Sequence, residues 1–199
     1  MQITSIEQIR RGKCRIWLND EPAFCLTPQE VEELALFEGG TIEDDQLDNL
    51  IKTYLTRKAC LRSLDVLSIR DKTCAQMRDQ LTREEFPPEA VEGAMNYLLE
   101  HHYVDDFRYA CTYLSLRSGK DSRLRLSQQL AQRGVPKEVI DLAFEEEGEG
   151  DQEALIHDLL KKKHYSPDMD EKDKTKVIRY LAGRGFSYDS IKKALTSFS

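Results

Sequence analysis

The sequence has few of the features that mark metal proteins, secreted proteins and membrane proteins. Its five cysteines are odd in number and form no CxxC or CxxH pair, which argues against a zinc site or a disulfide framework. The first residues lack the apolar core of a signal peptide, and no apolar run approaches the roughly 20 residues of a membrane span. We therefore expect a soluble, cytoplasmic protein that makes no membrane contact.

Catalytic motifs are missing as well. The chain contains no GxxxxGK[ST], GxGxxG, HExxH or GxSxG sequence. His101 and His102 are adjacent, so on a helix they would point about 100° apart and could not share one metal ion. Carboxylate pairs such as Asp105-Asp106 are common in charged proteins. We expect a protein that is not an enzyme, with no catalytic residue, no metal and no cofactor.

The formal net charge of −7 weakens the hypothesis of a general DNA-binding protein, because phosphate contacts need Lys and Arg. The charge is unevenly distributed along the chain. Residues 1–56 carry 5 basic and 11 acidic side chains, residues 57–133 carry 13 and 11, and residues 134–199 carry 11 and 14. The middle of the chain is therefore the only net basic part of this division.

The N-terminal part combines strand and helix signals. Two β-prone runs, Lys13–Leu18 and Pro22–Leu26, predict a hairpin. Thr27, followed by Pro28 and Glu30, is typical of a helix start. We predict that this helix extends to about Phe37 and ends at Gly39 and Gly40, and that another helix begins at Thr41 or Glu43 and continues toward Leu67.

The rest of the chain repeats one apolar pattern three times, at offsets of 49 and 51 residues. Each copy starts with an apolar residue four positions before a leucine, and three further apolar residues follow with spacings of 5, 5 and 3. The copies are Met77, Leu81, Phe86, Val91 and Ala94; Leu126, Leu130, Val135, Ile140 and Ala143; and Val177, Leu181, Phe186, Ile191 and Ala194.

This pattern predicts a helix, a tight turn and a second helix in each copy. Gly134 and Gly185 stand where a glycine at the end of a helix takes the left-handed conformation of a Schellman-type cap. Glu85 occupies this position in the first copy, so its turn must be strained or different. Pro87, Pro136 and Ser187 would start the second helices, and a preceding helix completes a unit of three.

The fold class is therefore mainly α. We expect three tandem three-helix repeats in an elongated array, preceded by a small N-terminal segment with a β-hairpin and helices. The predicted divisions are residues 1–56, 57–106, 107–151 and 152–199. Units of about 50 residues are expected to need neighbours for stability.

Basic residues are the best candidates for a binding surface. The simplest interpretation is a solvated charged face; the alternative is a cationic surface for an acidic protein groove or a nucleic acid backbone. The candidates are Arg70, Lys72, Arg78, Arg108, Arg117, Lys120, Arg123, Arg125 and Arg133.

Residues 103–110, Tyr-Val-Asp-Asp-Phe-Arg-Tyr-Ala, resemble a motif that the RecX family carries between its first two repeats. Arg133-Gly134-Val135 is similar to part of the family's second repeat, and residues 179–191 are similar to its third. The resemblance covers about residues 50–199. It departs from the family pattern at Thr73 and Gln76, where Ser and Glu are usual, and at His102, where Gly is usual.

The resemblance implies a regulator that binds the RecA recombinase in its filament on single-stranded DNA and limits filament growth, strand exchange, ATPase and co-protease activity. We expect the protein to be a monomer. A helical scaffold for an unrelated protein and a direct DNA-binding protein are the alternatives. Tyr103, Asp106, Phe107 and Ala110 are predicted to be packing and capping residues at the junction between repeats. Exchange of Arg117, Lys120, Arg123 and Arg125 for Glu is expected to abolish inhibition without unfolding the protein.

Overall fold

The computed structural model describes residues 1–9, 12–117, 119–148 and 150–198. Within these ranges the chain forms three strands, eleven α-helices and one π-helical turn. It divides into two compact units, Met1–Asp105 and Asp106–Ser199. The first unit contains the sheet and the first repeat, and the second unit contains the other two repeats.

An antiparallel sheet opens the first unit. Its strands are β1 (Ile3–Ile9), β2 (Lys13–Leu18) and β3 (Glu21–Leu26), in the order β1-β2-β3. Asn19 and Asp20 form the turn between β2 and β3, with φ angles of 49° and 66°. Two residues with positive φ are what a two-residue turn of this kind requires. The predicted hairpin is confirmed.

The first strand is absent from the sequence prediction, which recognised only the hairpin. Ile3, Ile6 and Ile9 recur at every third position, whereas a half-buried strand shows strict alternation. The pairing of β1 with β2 shifts register between Ile3 and Ser5. Such an irregularity breaks the alternating pattern by which a strand is recognised.

The first helix, α1 (Pro28–Glu33), begins as predicted but ends earlier. Thr27 and Glu30 form a capping box, in which each side chain accepts a hydrogen bond from the other residue's backbone N–H. The predicted end near Phe37 is wrong, because Ala35 takes a φ of 52° and stops the helix. The apolar residues of this segment that pack against the sheet core are Val31, Leu34 and Leu36.

One continuous helical segment connects the N-terminal part with the first repeat. It consists of α2 (Asp44–Asn49), a π-helical turn (Leu50–Leu55) and α3 (Thr56–Ile69), with Glu43 as N-cap. The side chain of Thr56 lies against Gly93, where an added Cβ would come within 2.8 Å of the Thr56 methyl carbon. The glycine at position 93 therefore allows the start of α3 to pack closely against the helix Pro88–Glu100, which contains Gly93.

The three repeats each consist of three helices, as predicted. The first combines α3 with α4 (Cys74–Arg83) and α5 (Pro88–Glu100). The second is α6 (Asp106–Arg117), α7 (Arg123–Ala131) and α8 (Lys137–Glu147), and the third is α9 (Gln152–Lys162), α10 (Glu171–Gly183) and α11 (Tyr188–Ser197). The exact divisions between the repeats stay a prediction.

Each repeat encloses its own apolar core, and the sheet has another. The repeated leucines Leu81, Leu130 and Leu181 are fully buried, and so are the three alanines at the end of the pattern. The helical face predicted from the repeat is therefore the face that makes the core. Full burial of a leucine contributes about 1.5–3 kcal/mol relative to exposure.

The turn between the second and third helix is the same in all three repeats. Phe86, Val135 and Phe186 each donate a backbone N–H to the carbonyl of the repeated leucine, at 3.2–3.3 Å. The residue before each of them has positive φ, 62° at Glu85, 80° at Gly134 and 86° at Gly185. The predicted Schellman-type turn is confirmed, and Glu85 adopts it in the strained, left-handed form.

Candidate partner-binding surface

A buried carboxylate lies at the start of α7 among three arginines. The side chain of Asp121 is 3% exposed. Arg184 Nη1 lies 3.2 Å from its Oδ1, Arg125 Nε lies 3.6 Å from the same oxygen, and Arg117 Nη1 lies 3.8 Å from Oδ2. Of these contacts only that of Arg184 is short enough for a hydrogen bond. We call these four residues the Asp121 cluster.

The turn of the third repeat keeps the Asp121 cluster in place. Ser122 donates its backbone N–H to the Arg184 carbonyl at 3.0 Å, and the Arg184 guanidinium donates to the Lys120 carbonyl at 2.9 Å. A Cβ on Gly185 would lie 2.5 Å from Ser122 Oγ and 2.7 Å from Arg125 Cβ. The second and third repeats therefore pack so closely here that no side chain fits at position 185.

The first N–H groups of α7 find acceptors on both repeats. The Ser122 hydroxyl accepts a hydrogen bond from the Arg125 N–H at 3.2 Å, as an N-cap residue does. Arg123 donates its N–H to Gln152 Oε1 on α9 at 3.2 Å. Since helix starts leave such donors without helical partners, the third repeat completes the start of this helix.

A tyrosine lies between two arginines on the second repeat. The guanidinium carbons of Arg117 and Arg133 lie 5.5 and 4.6 Å from the ring centre of Tyr113. Gln129 holds Arg133 and Tyr113 in place. Its backbone carbonyl accepts a hydrogen bond from Arg133 Nη1 at 2.6 Å, and its side-chain Oε1 accepts one from the Tyr113 hydroxyl at 2.5 Å. Tyr109 stacks on Tyr113 with the ring centres 6.4 Å apart. Two stacked rings and an arginine thus follow one another along α6, and Arg133 covers the second ring from outside the helix.

A second tyrosine has the same kind of surroundings on the third repeat. Lys163 Nζ and Arg184 Cζ lie 4.4 and 5.1 Å from the ring centre of Tyr180. Because Arg184 also belongs to the Asp121 cluster, the contacts form one unbroken line across the second unit. We call this line the cation–tyrosine ladder; its members are Arg133, Tyr113, Arg117, Asp121, Arg125, Arg184, Tyr180 and Lys163.

The structure brings together most of the cations predicted on the second repeat. Arg117, Arg125 and Arg133 belong to the cation–tyrosine ladder, and Lys120 and Arg123 flank its centre. Lys120 is exposed and its ammonium donates to the Leu116 carbonyl at 3.2 Å, while Arg123 Cζ lies 4.6 Å above the Phe144 ring. Arg108 lies on an exposed position of α6 outside this group.

The cations predicted on the first repeat have a different environment. Lys72 is only 9% exposed, and burial followed by the charges of Arg70 and Arg83 lowers its pKa. Its burial conflicts with the predicted role of an exposed contact residue. Arg78 forms a bidentate ion pair with Glu92 at 2.8 and 3.0 Å. Arg70 follows α3 and is exposed.

The four residues predicted at the junction differ in burial. Ala110 is fully buried in the core of the second repeat, and Asp106 is the first residue of α6. Tyr103 is 45% exposed and stacks on Tyr97 with the ring centres 6.2 Å apart. Phe107 is 39% exposed. Their role at a junction between repeats stays a prediction.

Within the first unit, Glu85 connects the first repeat to the sheet. Its carboxylate accepts hydrogen bonds from Arg15 at 2.5 and 2.9 Å and from the Cys25 thiol at 2.7 Å. These bonds, led by that from Arg15, lower the pKa of Glu85 to about 2. Burial and the same carboxylate raise the pKa of Cys25 to about 12. Glu85 therefore strains its turn, but its side chain makes a contact with the sheet that a glycine could not make.

The contact of Glu85 predicts a stability difference that depends on pH. Because the pKa of Glu85 is lower in the folded protein, its contribution is complete above the ordinary carboxyl pKa of 4.5 and is lost as the pH falls toward 2. We expect Glu85→Gln to lower the urea midpoint of the first unit at pH 7 and to have a smaller effect at pH 3. Far-UV circular dichroism across a urea series at both pH values measures this.

The matched control for this change is Glu89→Gln, since Glu89 lies in the first turn of α5 without an ion pair in the described part of the chain. It should shift the urea midpoint little at either pH. A Glu85→Gln effect of equal size at pH 7 and pH 3 would contradict the assignment.

Comparison with known proteins decides the family. Three family models match the chain in order: the first three-helix domain of RecX over residues 59–98, the second over 105–143 and the third over 149–195. The chain belongs to the RecX family. The three matches cover the three repeats described above, and the resemblance seen in the sequence is confirmed.

Several RecX regulatory proteins are similar over different shares of their length. The protein of Neisseria meningitidis serogroup C is 34% identical over 134 residues, which are 67% of this chain and 86% of that protein. The protein of Clostridium acetobutylicum is 27% identical over 203 residues, 97% of this chain and 94% of that protein. The second match therefore includes the N-terminal part with the sheet.

A crystal structure of a RecX regulatory protein has the same fold. It superposes with a TM-score of 0.61 at 26% identity and covers 96% of this chain and 98% of the solved one. RecX from Lactobacillus salivarius also gives a TM-score of 0.61, at 20% identity over 71% of this chain and 95% of the solved chain, which supports the fold alone. The likeness in structure thus extends beyond the three repeats in the first case.

Three further features of the described residues concern membrane helices, metal-binding groups and disulfides. None of the described helices is long and apolar enough to span a membrane. Among the described residues, no group of three or more His, Cys, Asp or Glu side chains could hold a metal ion. None of the five cysteines, all of which lie in the described ranges, forms a disulfide. The cation–tyrosine ladder is our candidate for a binding site, because its contacts connect exposed cations of the second and third repeats.

Proposed function

We propose that this RecX protein is a negative modulator of the RecA recombinase. It binds the RecA filament on single-stranded DNA and limits filament growth, ATPase, strand-exchange and co-protease activity. The protein acts in the cytoplasm as a monomer, and it contacts single-stranded DNA through the filament. The nucleotide chemistry belongs to the recombinase, and the modulator itself is not an enzyme.

The cation–tyrosine ladder is the observation that carries this proposal beyond the family name. It joins the second and third repeats in one line of cations and rings, and it offers guanidinium groups in fixed positions. Fixed guanidinium groups suit carboxylates and phosphates, which they can bind through two parallel hydrogen bonds. A filament repeats the same protomer many times, so weak contacts from successive repeats gain strength through avidity.

Two other functions predict different results. A scaffold for an unrelated protein would have no effect on recombinase filaments. A direct DNA-binding protein would lose affinity for free DNA steeply with salt, by a log-log slope of about 0.7–0.9 for each phosphate contact. The cation–tyrosine ladder favours direct DNA binding over the scaffold, because tyrosine rings and cations also bind the bases and phosphates of single-stranded DNA.

The test is a titration of this protein into RecA filaments on circular single-stranded DNA while ATP hydrolysis is followed. We expect the rate to fall at ratios well below one molecule of this protein per recombinase protomer, because blocking growth at a few places stops the addition of many protomers. The reference is the ATPase rate of the same recombinase without this protein.

Two further measurements separate the alternatives. Adding the protein after filaments are complete, rather than before, reports whether growth or existing filament is the target. Anisotropy of labelled oligothymidine without recombinase reports direct DNA binding. An unchanged ATPase rate at equal concentrations of the two proteins would contradict the proposed function.

A further inference from the structure

The Asp121 cluster contains more positive charge than its carboxylate neutralises. Three guanidinium groups meet one carboxylate, which leaves two positive charges. The carboxylate is buried, whereas the side chains of Arg117, Arg125 and Arg184 are 45%, 39% and 33% exposed. The cluster therefore presents cations to solvent and keeps its anion inside.

The geometry points to a role for Asp121 that packing does not require. We propose that Asp121 is an internal anion that restrains the three arginines from binding nucleic acid phosphates and so keeps the surface selective for its protein partner. The inference rests on the proposed function, since it takes the cation–tyrosine ladder as the surface that meets the filament. Asp121 acts as a specificity-determining residue through the arginines that it holds.

The contacts between the repeats do not depend on the charge of Asp121. Ser122 donates its backbone N–H to the Arg184 carbonyl, and the Arg184 guanidinium donates to the Lys120 carbonyl, so neither bond uses the Asp121 side chain. An asparagine at position 121 has nearly the same shape and retains an oxygen that accepts from Arg184. Loss of the charge therefore leaves the junction assembled and increases the positive charge of the cluster by one.

The long contacts of Arg117 and Arg125 show how this restraint works. At 3.8 and 3.6 Å from the carboxylate oxygens, both are attracted by the charge without a hydrogen bond. A phosphate that approaches from solvent must compete with this buried charge, which acts in a medium of low dielectric and is weakly screened by salt. A flexible single strand must also be ordered on binding, whereas the carboxylates of a folded protein partner are already held in place, so the restraint by Asp121 weakens phosphate binding more.

The experiment compares Asp121→Asn with the unaltered protein in binding labelled oligothymidine by anisotropy at several salt concentrations. We expect the affinity of the variant to rise about tenfold at low salt, with a log-log salt slope steeper by about 0.7, which is one added phosphate contact on a single strand. Asp158→Asn is the matched control, because Asp158 is 65% exposed and lies 4.0 Å from Lys161. It makes the same change in net charge and should alter affinity less than twofold.

A second comparison does not need the Asp121 variant to fold. Arg117→Gln removes a cation that Asp121 restrains, and Lys120→Gln removes a nearby cation that has no carboxylate partner in the described ranges. We expect Arg117→Gln to weaken oligothymidine binding less than Lys120→Gln does.

Two results would overturn the inference. The first is a folded Asp121→Asn protein that binds oligothymidine no more tightly than the unaltered protein. The second is a loss of oligothymidine affinity in Arg117→Gln that is as large as the loss in Lys120→Gln. Neither result bears on the ATPase titration of the unaltered protein, so a failure of the proposed function is recognised separately.

Discussion

Replacing Gly185 by Ala is expected to lower the free energy of unfolding of the second unit by about 3 kcal/mol. Gly185 has a φ of 86°, a conformation that costs an L-residue about 1–3 kcal/mol. The new Cβ would also lie 2.5 Å from Ser122 Oγ and 2.7 Å from Arg125 Cβ, so the two repeats must separate. Urea denaturation of the full chain, followed by circular dichroism, measures the loss.

Gly183→Ala provides the matched control two residues away. Gly183 is the last residue of α10, and an added Cβ there meets nothing within 4 Å. Alanine favours the helix over glycine by up to about 1 kcal/mol, so this variant should be as stable as the unaltered protein or more so. Equal effects of the two substitutions would show that position 185 does not depend on the contact between the repeats.

The turns of the repeats could be predicted from the sequence because one pattern occurs three times. A single Arg-Gly pair is weak evidence, but Gly134 and Gly185 occupy the same place in the same apolar register. The repeated leucines are buried and the glycines have positive φ, as the pattern requires. Repetition thus supplies the evidence that a single helix start or end lacks.

The turn at Glu85 could be predicted only in part from the repeated pattern. The pattern indicates that its turn is unusual, and the structure has the same turn with a residue that strains it. The reason lies in Arg15 and Cys25, about 60 or more positions earlier in the chain. A contact across that distance leaves no periodic trace in either segment, so the sequence alone could not predict it.

The spacing of charged residues in the sequence hints at part of the Asp121 cluster, but counting charges in each segment does not reveal it. Asp121 follows Arg117 by four residues and precedes Arg125 by four, a spacing at which charged side chains meet on a helix. The interval is not one helix, so the spacing alone does not establish the contact. Arg184 comes from the next repeat, and the sequence marks it only as half of an Arg-Gly turn.

Charge reversal at the two cations that flank the Asp121 cluster is expected to weaken RecA inhibition at least about tenfold. In Lys120→Glu combined with Arg123→Glu, two carboxylates would face the acidic groups or phosphates that the surface binds. The fold should persist, because Lys120 is exposed, Arg123 is half-buried, and neither side chain belongs to the apolar core of the second repeat. The ATPase titration and the thermal midpoint, expected to stay within about 5 °C, are the measurements.

Reversal at Arg117 and Arg125 has a different expected result. These changes would place two carboxylates against Asp121, which is 3% exposed, so several kcal/mol of stability would be lost and any loss of inhibition would have two causes. The structure therefore replaces the expectation that all four reversals leave the fold intact with separate expectations for the two pairs.

The control for the pair Lys120 and Arg123 is the combination of Lys192→Glu and Lys193→Glu on α11. It changes the net charge by the same amount in the same unit, and neither lysine has an ion pair among the residues that the structure describes. If inhibition depends on the cation–tyrosine ladder, the control inhibits as well as the unaltered protein. If both pairs lose inhibition equally, the overall charge of the second unit is what the filament senses, and the ladder has no special role.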